Sequence, residues 1–346
     1  ENGIFYLYWN KMYVGGSFKN LYGNFQMNIH YSGYPKLYLE GNTGPYDFNP
    51  GDNHLLRYME FIGNGEYILK NQMIVDNSET SPNLVFTGGI FRLAQNVLQL
   101  NNTTRGDVII GIGATLYVDS LSELRIPNTR TLTNNGTFKL VGTPTGIATL
   151  RSTSGNFNFV QNSGTTHAKY YNIENTSGKG MRFVGGTIDA TENFSDGRFM
   201  AGAGGAGTAY LSILSGATFN SDRTITNVTF NSGPVYNVYR DAGTGSGIFT
   251  FHNAGGSLAG ATYEYDPGNV VNWTNEAAKY WTGLGGNSQW TTAANWSDNQ
   301  VPTINDNVYL DNTYVVGAYS VNIQANATCK SLNLKASATT LSINNG

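Results

Sequence analysis

The sequence predicts an all-β chain folded as a parallel β-solenoid, and three observations carry that prediction. A turn-and-strand unit recurs along the chain; no amphipathic helix stripe shows before the C-terminal third; and Gly, Asn, Thr and Tyr abound while only 12% of residues are charged. The unit is an Asn/Ser/Gly turn followed by a short alternating strand, as in Gly88-Gly-Ile-Phe-Arg-Leu, Gly113-Ala-Thr-Leu-Tyr-Val, Gly136-Thr-Phe-Lys-Leu-Val and Gly155-Asn-Phe-Asn-Phe-Val. From Gly89 to Gly113 is 24 residues, to Gly136 another 23, and to Gly155 another 19. A period of roughly 20–30 residues marks a solenoid whose coil is one supersecondary unit. Such a coil holds two or three strands and hides its inward Val, Ile, Leu and Phe only by stacking on its neighbours. Gly and Asn suit the corners because they accept left-handed backbone conformations, and stacked Asn and Thr can form side-chain ladders. The competing all-β reading is a string of sandwiches, with longer strands at about 8–12-residue spacing; Lys36-Leu-Tyr-Leu-Glu and Tyr67-Ile-Leu-Lys fit it.

Composition narrows the function classes. Twenty basic and 23 acidic residues are spread evenly, for a net charge of −3, so no basic stripe awaits a phosphate backbone and nucleic-acid binding is not expected. The apolar residues, 40% of the chain, come in short pieces far from the roughly 20 that span a membrane. Seventeen Phe and 22 Tyr argue against a disordered tail. Cys329 is the sole cysteine, excludes an internal disulfide, and reads as a small core filler. His30, His54, His167 and His252 are too scattered to suggest a metal site by spacing. The chain opens and stops inside strand-like sequence with no signal peptide, and is read as a window cut from something longer.

Along the chain, residues 1–273 form one solenoid unit. Within 1–80 the aromatics Phe5, Tyr6, Tyr8, Trp9, Tyr13 and Phe18 are dense and the period blurs, leaving irregular coils and an inserted subdomain both open. Ala201–Thr208 is too glycine-rich for a coil and is expected as a corner loop. The repeating pattern finishes at Asp266-Pro-Gly-Asn-Val-Val-Asn-Trp273. Residues 274–279 are a short linker, and 280–346 are the capped beginning of the next unit.

That last text carries a resemblance. Trp281-Thr-Gly, Trp290, Asn295-Trp296-Ser, Val301-Pro302 and Asp306-Asn-Val, with Tyr263–Trp273 before them, resemble the unit boundaries of very large bacterial surface proteins. These are autotransporter-like and type IX-secreted repeat proteins, notably the giant adhesins of gliding Bacteroidota. The resemblance spans about 50 residues and implies a right-handed, elongated parallel β-helix, export to the bacterial cell surface, and tandem units. The implied partners are adjacent repeat units of the same polypeptide and the secretion and surface-anchoring machinery. On physical grounds Trp281, Trp290 and Trp296 with Pro302 suit a cap that covers an otherwise exposed solenoid end; a sugar-stacking platform is the alternative.

Candidate chemistry is sparse. The best local cluster is Asp189, Glu192 and Asp196, followed by Arg198. It would suit calcium, or the paired carboxylates of polysaccharide cleavage, but solvated loop acids are the commoner meaning. Asp306 and Asp311 suit turns. No nucleophile elbow, phosphate loop, His-Glu-x-x-His or Cys-x-x-Cys appears. Asp119-Ser-Leu121 resembles an O-glycosylation motif of Bacteroidota-exported proteins. The expectation is therefore a non-enzymatic structural and adhesive segment of an extracellular protein that attaches to glycans or abiotic surfaces, without catalytic residues, metal or cofactor, a structural calcium ion being unsupported. The alternatives are a carbohydrate-active β-helix lyase or hydrolase, and a passive stalk.

Overall fold

The computed structural model describes residues 4–8, 11–20, 24–28, 35–52, 54–76, 82–101, 103–274, 278–323, 327–334 and 340–343. Trp9, His30 and linker residues 275–277 lie outside the described residues. The chain divides into two compact units, Glu1–Thr274 and Asn275–Gly346.

The first unit is a parallel β-solenoid with three faces. The first face runs from Ile4–Tyr8 through a three-stranded sheet and, past the Leu56–Val75 bridge, into a seven-stranded sheet ending at Thr229–Phe230. The second face is one eleven-stranded sheet, from Lys11–Val14 to Glu264–Tyr265. The third face is an eight-stranded sheet from Phe18–Lys19 to Thr187–Ser195, then three strands at Arg223–Thr226, Phe249–His252 and Val271–Thr274. Each strand pairs in parallel with its equivalent one coil away, as Thr115–Val118 does with Ile90–Arg92 and Thr137–Val141.

Two-residue alternation makes the interior. Lys36–Leu39, Glu66–Leu69, Val97–Leu100, Thr115–Val118 and Glu123–Ile126 each bury every second side chain. On the second face Leu37, Met59, Leu84, Val108, Leu132, Phe159, Met181, Leu211 and Val238 form one inward column, spaced 22–30 residues in sequence. All are essentially inaccessible. Each such side chain contributes about 1.5–3 kcal/mol on burial, and only stacking supplies the walls that bury it.

The described residues before 77 follow the same rule. Phe18, Phe25, Phe48 and Phe61 point inward, with Phe18 at 5.1 Å from Phe25 and 5.3 Å from Phe48. Tyr13, Tyr38 and Tyr58 point outward from the second face. The aromatic density there is thus an inner stack and an outer stack on the same coils.

Corners carry the backbone constraints. Gly164 sits at φ +72°, and a Cβ there would stand 1.8 Å from the Gly136 carbonyl oxygen, so only glycine lets those coils close. Asn134, Gln161 and Thr166 form a buried polar group at the adjoining corner: Asn134 Nδ2 donates to Gln161 Oε1 at 3.0 Å, and Gln161 Nε2 donates to the Thr187 carbonyl at 2.8 Å. The Ala201–Thr208 segment links the first-face strand Arg198–Met200 to the second-face strand Ala209–Ile213 without strand structure. Near the end of the unit Arg240 is fully buried. Its guanidinium donates to Thr244 Oγ1 (3.0 Å) and to the carbonyls of Gly247 (2.8 Å), Gly245 (3.2 Å) and Val270 (3.3 Å), and it lies 4.6 Å over Phe249.

The second unit has a parallel sheet of Ala278–Tyr280, Asn307–Leu310 and Ser331–Leu334, and a paired Ser320–Ile323 and Thr340–Ile343. Trp281, Trp290 and Trp296 form its core with Val308, Leu310 and Val321, and Cys329 packs partly buried against it. Among the described residues no helix is long and apolar enough to cross a membrane.

Candidate functional site

The outward side chains of the third face gather the most chemistry. Arg92, Tyr117, Lys139 and His167 fall in one column on four successive coils. On the next coil the register breaks. Thr187 and Ile188 pair normally with Thr165 and Thr166, but Ala168 meets Asn193, so the strand Thr187–Ser195 bulges outward between them. The bulge carries Asp189 and Glu192 to His167.

The resulting geometry is close. His167 Nδ1 donates to Glu192 Oε2 at 2.8 Å and stands 3.6 Å from Asp189 Oδ2. Lys139 Nζ lies 3.5 Å from the same Glu192 oxygen. Asp189 Oδ1 accepts three bonds of 2.9 Å from its own turn, from the Thr191 N–H and hydroxyl and the Glu192 N–H. Burial alone would push the Asp189 carboxyl up, but those donors, aided by His167, bring it down to about 2. Further along the column the Arg92 guanidinium pairs with buried Asp119 at 2.6 Å and covers the Tyr117 ring at 5.3 Å.

Two kinds of chemistry are open to this arrangement. An imidazole hydrogen-bonded to a carboxylate can move a proton. One ligand atom from each of His167, Asp189 and Glu192 lies within 4.8 Å of the others, a set able to hold a divalent cation once the Nδ1 proton leaves.

The sequence-level cluster is therefore divided. Asp189 and Glu192 share the third face with His167. Asp196 turns to a corner, 3.7 Å from Lys169, and accepts a 2.9 Å bond from Asn227 Nδ2. Arg198 stands on the first face and donates to Asn172 Oδ1 at 2.5 Å. Asp196 and Arg198 line one shallow depression with Tyr171, Asn172, Asn227 and Thr229. The residue that sequence reasoning missed is His167. Its distance of 22 residues from Asp189 looks like scatter, yet it is one coil, the same period that identified the fold.

The tryptophan motif is built inward. Trp296 meets Trp281 and Trp290 edge-on at 5.2 and 4.8 Å, and its Nε1 donates to the Trp290 carbonyl at 2.7 Å. Asn295 is buried and bonds Asn287, Gln289 and the Gly285 N–H. Pro302 is buried, and Asp306 accepts from the Thr303 N–H and hydroxyl at 2.6 and 2.8 Å. Lys279, also buried, reaches Asp298 at 2.6 Å and Asp306 at 4.0 Å. These residues hold the second unit's core together: the three indoles are buried, and Trp281 also stacks on Tyr319 at 6.5 Å, the two lining one depression with Gly283, Asn287 and Val315. Comparison with protein-family models, with curated proteins and with solved structures finds no match for this chain.

Proposed function

We propose that this chain is a structural and adhesive segment of a long secreted bacterial cell-surface repeat protein, which attaches to glycans or surfaces through its solenoid faces. The observation that carries the reading is the continuity of those faces: eleven parallel strands on one side, with a single offset where Phe157–Gln161 meets Thr176–Phe183, and outward columns that run along the stack. A ladder of this kind offers many equivalent weak contacts, whose sum is strong through avidity. In this reading its partners are neighbouring repeat units and the export and anchoring machinery, and its place is the bacterial exterior.

The test is a shear assay with beads carrying the purified chain, on glass, plastic and glycan-coated surfaces. Retention well above that of albumin-coated beads is expected. Retention equal to albumin on every surface would refute the adhesive reading.

A second reading, polysaccharide cleavage, draws on the His167–Glu192 pair beside Asp189 and Lys139. It requires new reducing or unsaturated ends from a polysaccharide panel, lost on Glu192→Gln. The adhesive reading expects none from the parent protein.

A further inference from the structure

Many cations along the first and third faces of the first unit sit on carboxylates, while Arg198 bonds Asn172 and Arg223 bonds backbone carbonyls. Near the third face Lys19 and Lys70 both sit on Asp47 (2.7 and 3.2 Å), Arg92 on Asp119, Lys139 on Glu192 and Lys169 on Asp196. On the first face Arg125 and Arg151 share Glu123. The second face is mixed: Arg130, at the start of its strand Thr131–Asn134, reaches Asp107 at 3.6 Å, but four other cations do not pair. Its Lys11, Lys36, Lys179 and Arg182 have no carboxylate in ion-pair contact among the described residues.

Three of these four cations rest on tyrosine rings instead. Lys11 Nζ lies 5.8 Å from the Tyr38 ring centre, Lys36 Nζ 4.6 Å from Tyr58, and Lys179 Nζ 3.4 Å from Tyr239. The rings themselves are paired: Tyr13 stacks on Tyr38 at 4.8 Å, and Tyr239 on Tyr265 at 4.4 Å. Tyr13 and Tyr265 are 51% and 38% exposed, so each stack presents an open aromatic edge beside a cation outside any ion pair, though the Asp241 carboxylate lies near enough to Lys179 to favour its charged form.

The tyrosine stacks of both clusters and Arg182 lie on one column of the second face, which reads Tyr13, Tyr38, Glu60, Val85, Ile109, Thr133, Val160, Arg182, Ser212, Tyr239, Tyr265, with Ser212 buried under the Lys179 backbone. Its middle is uncharged. Its one acid in the first cluster, Glu60, takes the Tyr58 hydroxyl at 2.8 Å, and Asp241 beside the second cluster takes the Ser215 N–H at 3.3 Å. Lys11 and Lys36 pair one coil apart, about 4.8 Å. Tyr38 and Tyr239 are eight coil steps apart on the column, roughly 38 Å at that spacing.

Resting on the adhesive reading, we propose that the second face binds an acidic polysaccharide, a chain of uronate or sulfated sugars laid along the stack and held at both clusters. Tyrosine edges and faces take the apolar side of each sugar ring, and the ammonium and guanidinium groups take its anionic group. The arrangement favours a glycan over a single-stranded nucleic acid. Its cations number two per cluster rather than a continuous track, and the tyrosines stack on each other instead of splaying to receive bases. Two clusters on one rigid column make binding depend on chain length, because only a polymer that spans the gap gains the second contact intramolecularly.

The experiment measures binding of the whole chain by biolayer interferometry at physiological salt. The probes are long polygalacturonate, a trisaccharide of the same sugar, a neutral glucan of matched length and a single-stranded oligonucleotide of matched charge. The variants are K11A/K36A, K179A/R182A and all four together, with circular dichroism melting as the check on folding. The expected result is tight binding of the polymer only. Each double variant weakens it at least tenfold, the quadruple variant abolishes it, and the trisaccharide binds far more weakly than the polymer. Equal binding of the neutral glucan or of the oligonucleotide, no binding of polygalacturonate, or an unaffected and folded quadruple variant each overturns the proposal. The bead assay decides the adhesive reading separately, since retention on neutral glycan or glass survives the failure of this one.

Discussion

Arg240 offers a sharp test of how the first unit is held together, because two large effects oppose each other there. The side chain is fully buried, and burial pushes its guanidinium down from the usual arginine range while the nearby Asp266 carboxylate pulls the other way. Arg240→Met would remove the cost of a buried cation, several kcal/mol, and keep a flexible chain over Phe249. It would also strip the Gly245 and Gly247 carbonyls, which have no other described donor. Two orphaned carbonyls cost about 1–3 kcal/mol each, and four hydrogen bonds from a charged donor outweigh neutral ones. The lost bonds win, and the expected net destabilisation is about 3 kcal/mol. Arg240→Lys keeps the charge but cannot reach four acceptors from one ammonium, so it loses about 2 kcal/mol. Coils of a solenoid can open separately, so the readout is hydrogen exchange at amides of residues 236–252 alongside the urea midpoint. An Arg240→Met protein with unchanged protection there would show that desolvation, not the hydrogen bonds, governs this corner, and would refute the reasoning.

Other outcomes follow from the same coordinates. His54 donates from Nδ1 to the Gly51 carbonyl and accepts the Ile74 N–H on Nε2, and burial lowers its pKa against the pull of Gly51 and Asp52. The unfolded chain therefore takes up the proton first, so this contribution is complete above about pH 6.5 and fades as pH falls through the lower folded value; His54→Gln should flatten that part of a pH–stability curve, and an unchanged slope would count against it. Gly164→Ala should cost at least about 3 kcal/mol, since it adds a Cβ 1.8 Å from a backbone oxygen at positive φ; a melting temperature within a degree of the parent would be inconsistent with that corner. Asn134→Leu leaves Gln161 Oε1 one donor short and strands the Gly136 N–H that Asn134 Oδ1 accepts, an expected loss of about 2 kcal/mol by urea unfolding.

The solenoid was legible because its physics is repetitive. A turn, an alternating strand and a 20–30-residue period recur often enough that Gly89, Gly113, Gly136 and Gly155 betray the coil. The blur in residues 1–80 has a simple cause: Phe18 and Phe48 serve the inside while Tyr13 and Tyr38 serve the outside, so counting aromatics mixes two columns. The candidate site was half legible. Asp189 and Glu192 are neighbours in sequence, but His167 joins them only once the coil length is known, and the bulge that turns both acids toward it leaves no compositional mark. The unpaired lysines of the second face were invisible for a different reason. Nothing in Lys11 or Lys36 distinguishes them from Lys139 until the acid that each one lacks or has is placed beside it.

The direction of the hydrogen bonds in the first unit has a mechanical consequence. In a parallel coil-on-coil ladder the backbone bonds point along the stack, so tension applied at the two chain ends loads one coil boundary at a time instead of shearing all of them together. The unit then yields in steps. Each step releases the 22–30 residues of a coil, roughly 70–110 Å of extended chain. A molecule tethering a surface against flow would lengthen under a gust by paying out one coil after another, while the coils still wound kept their grip.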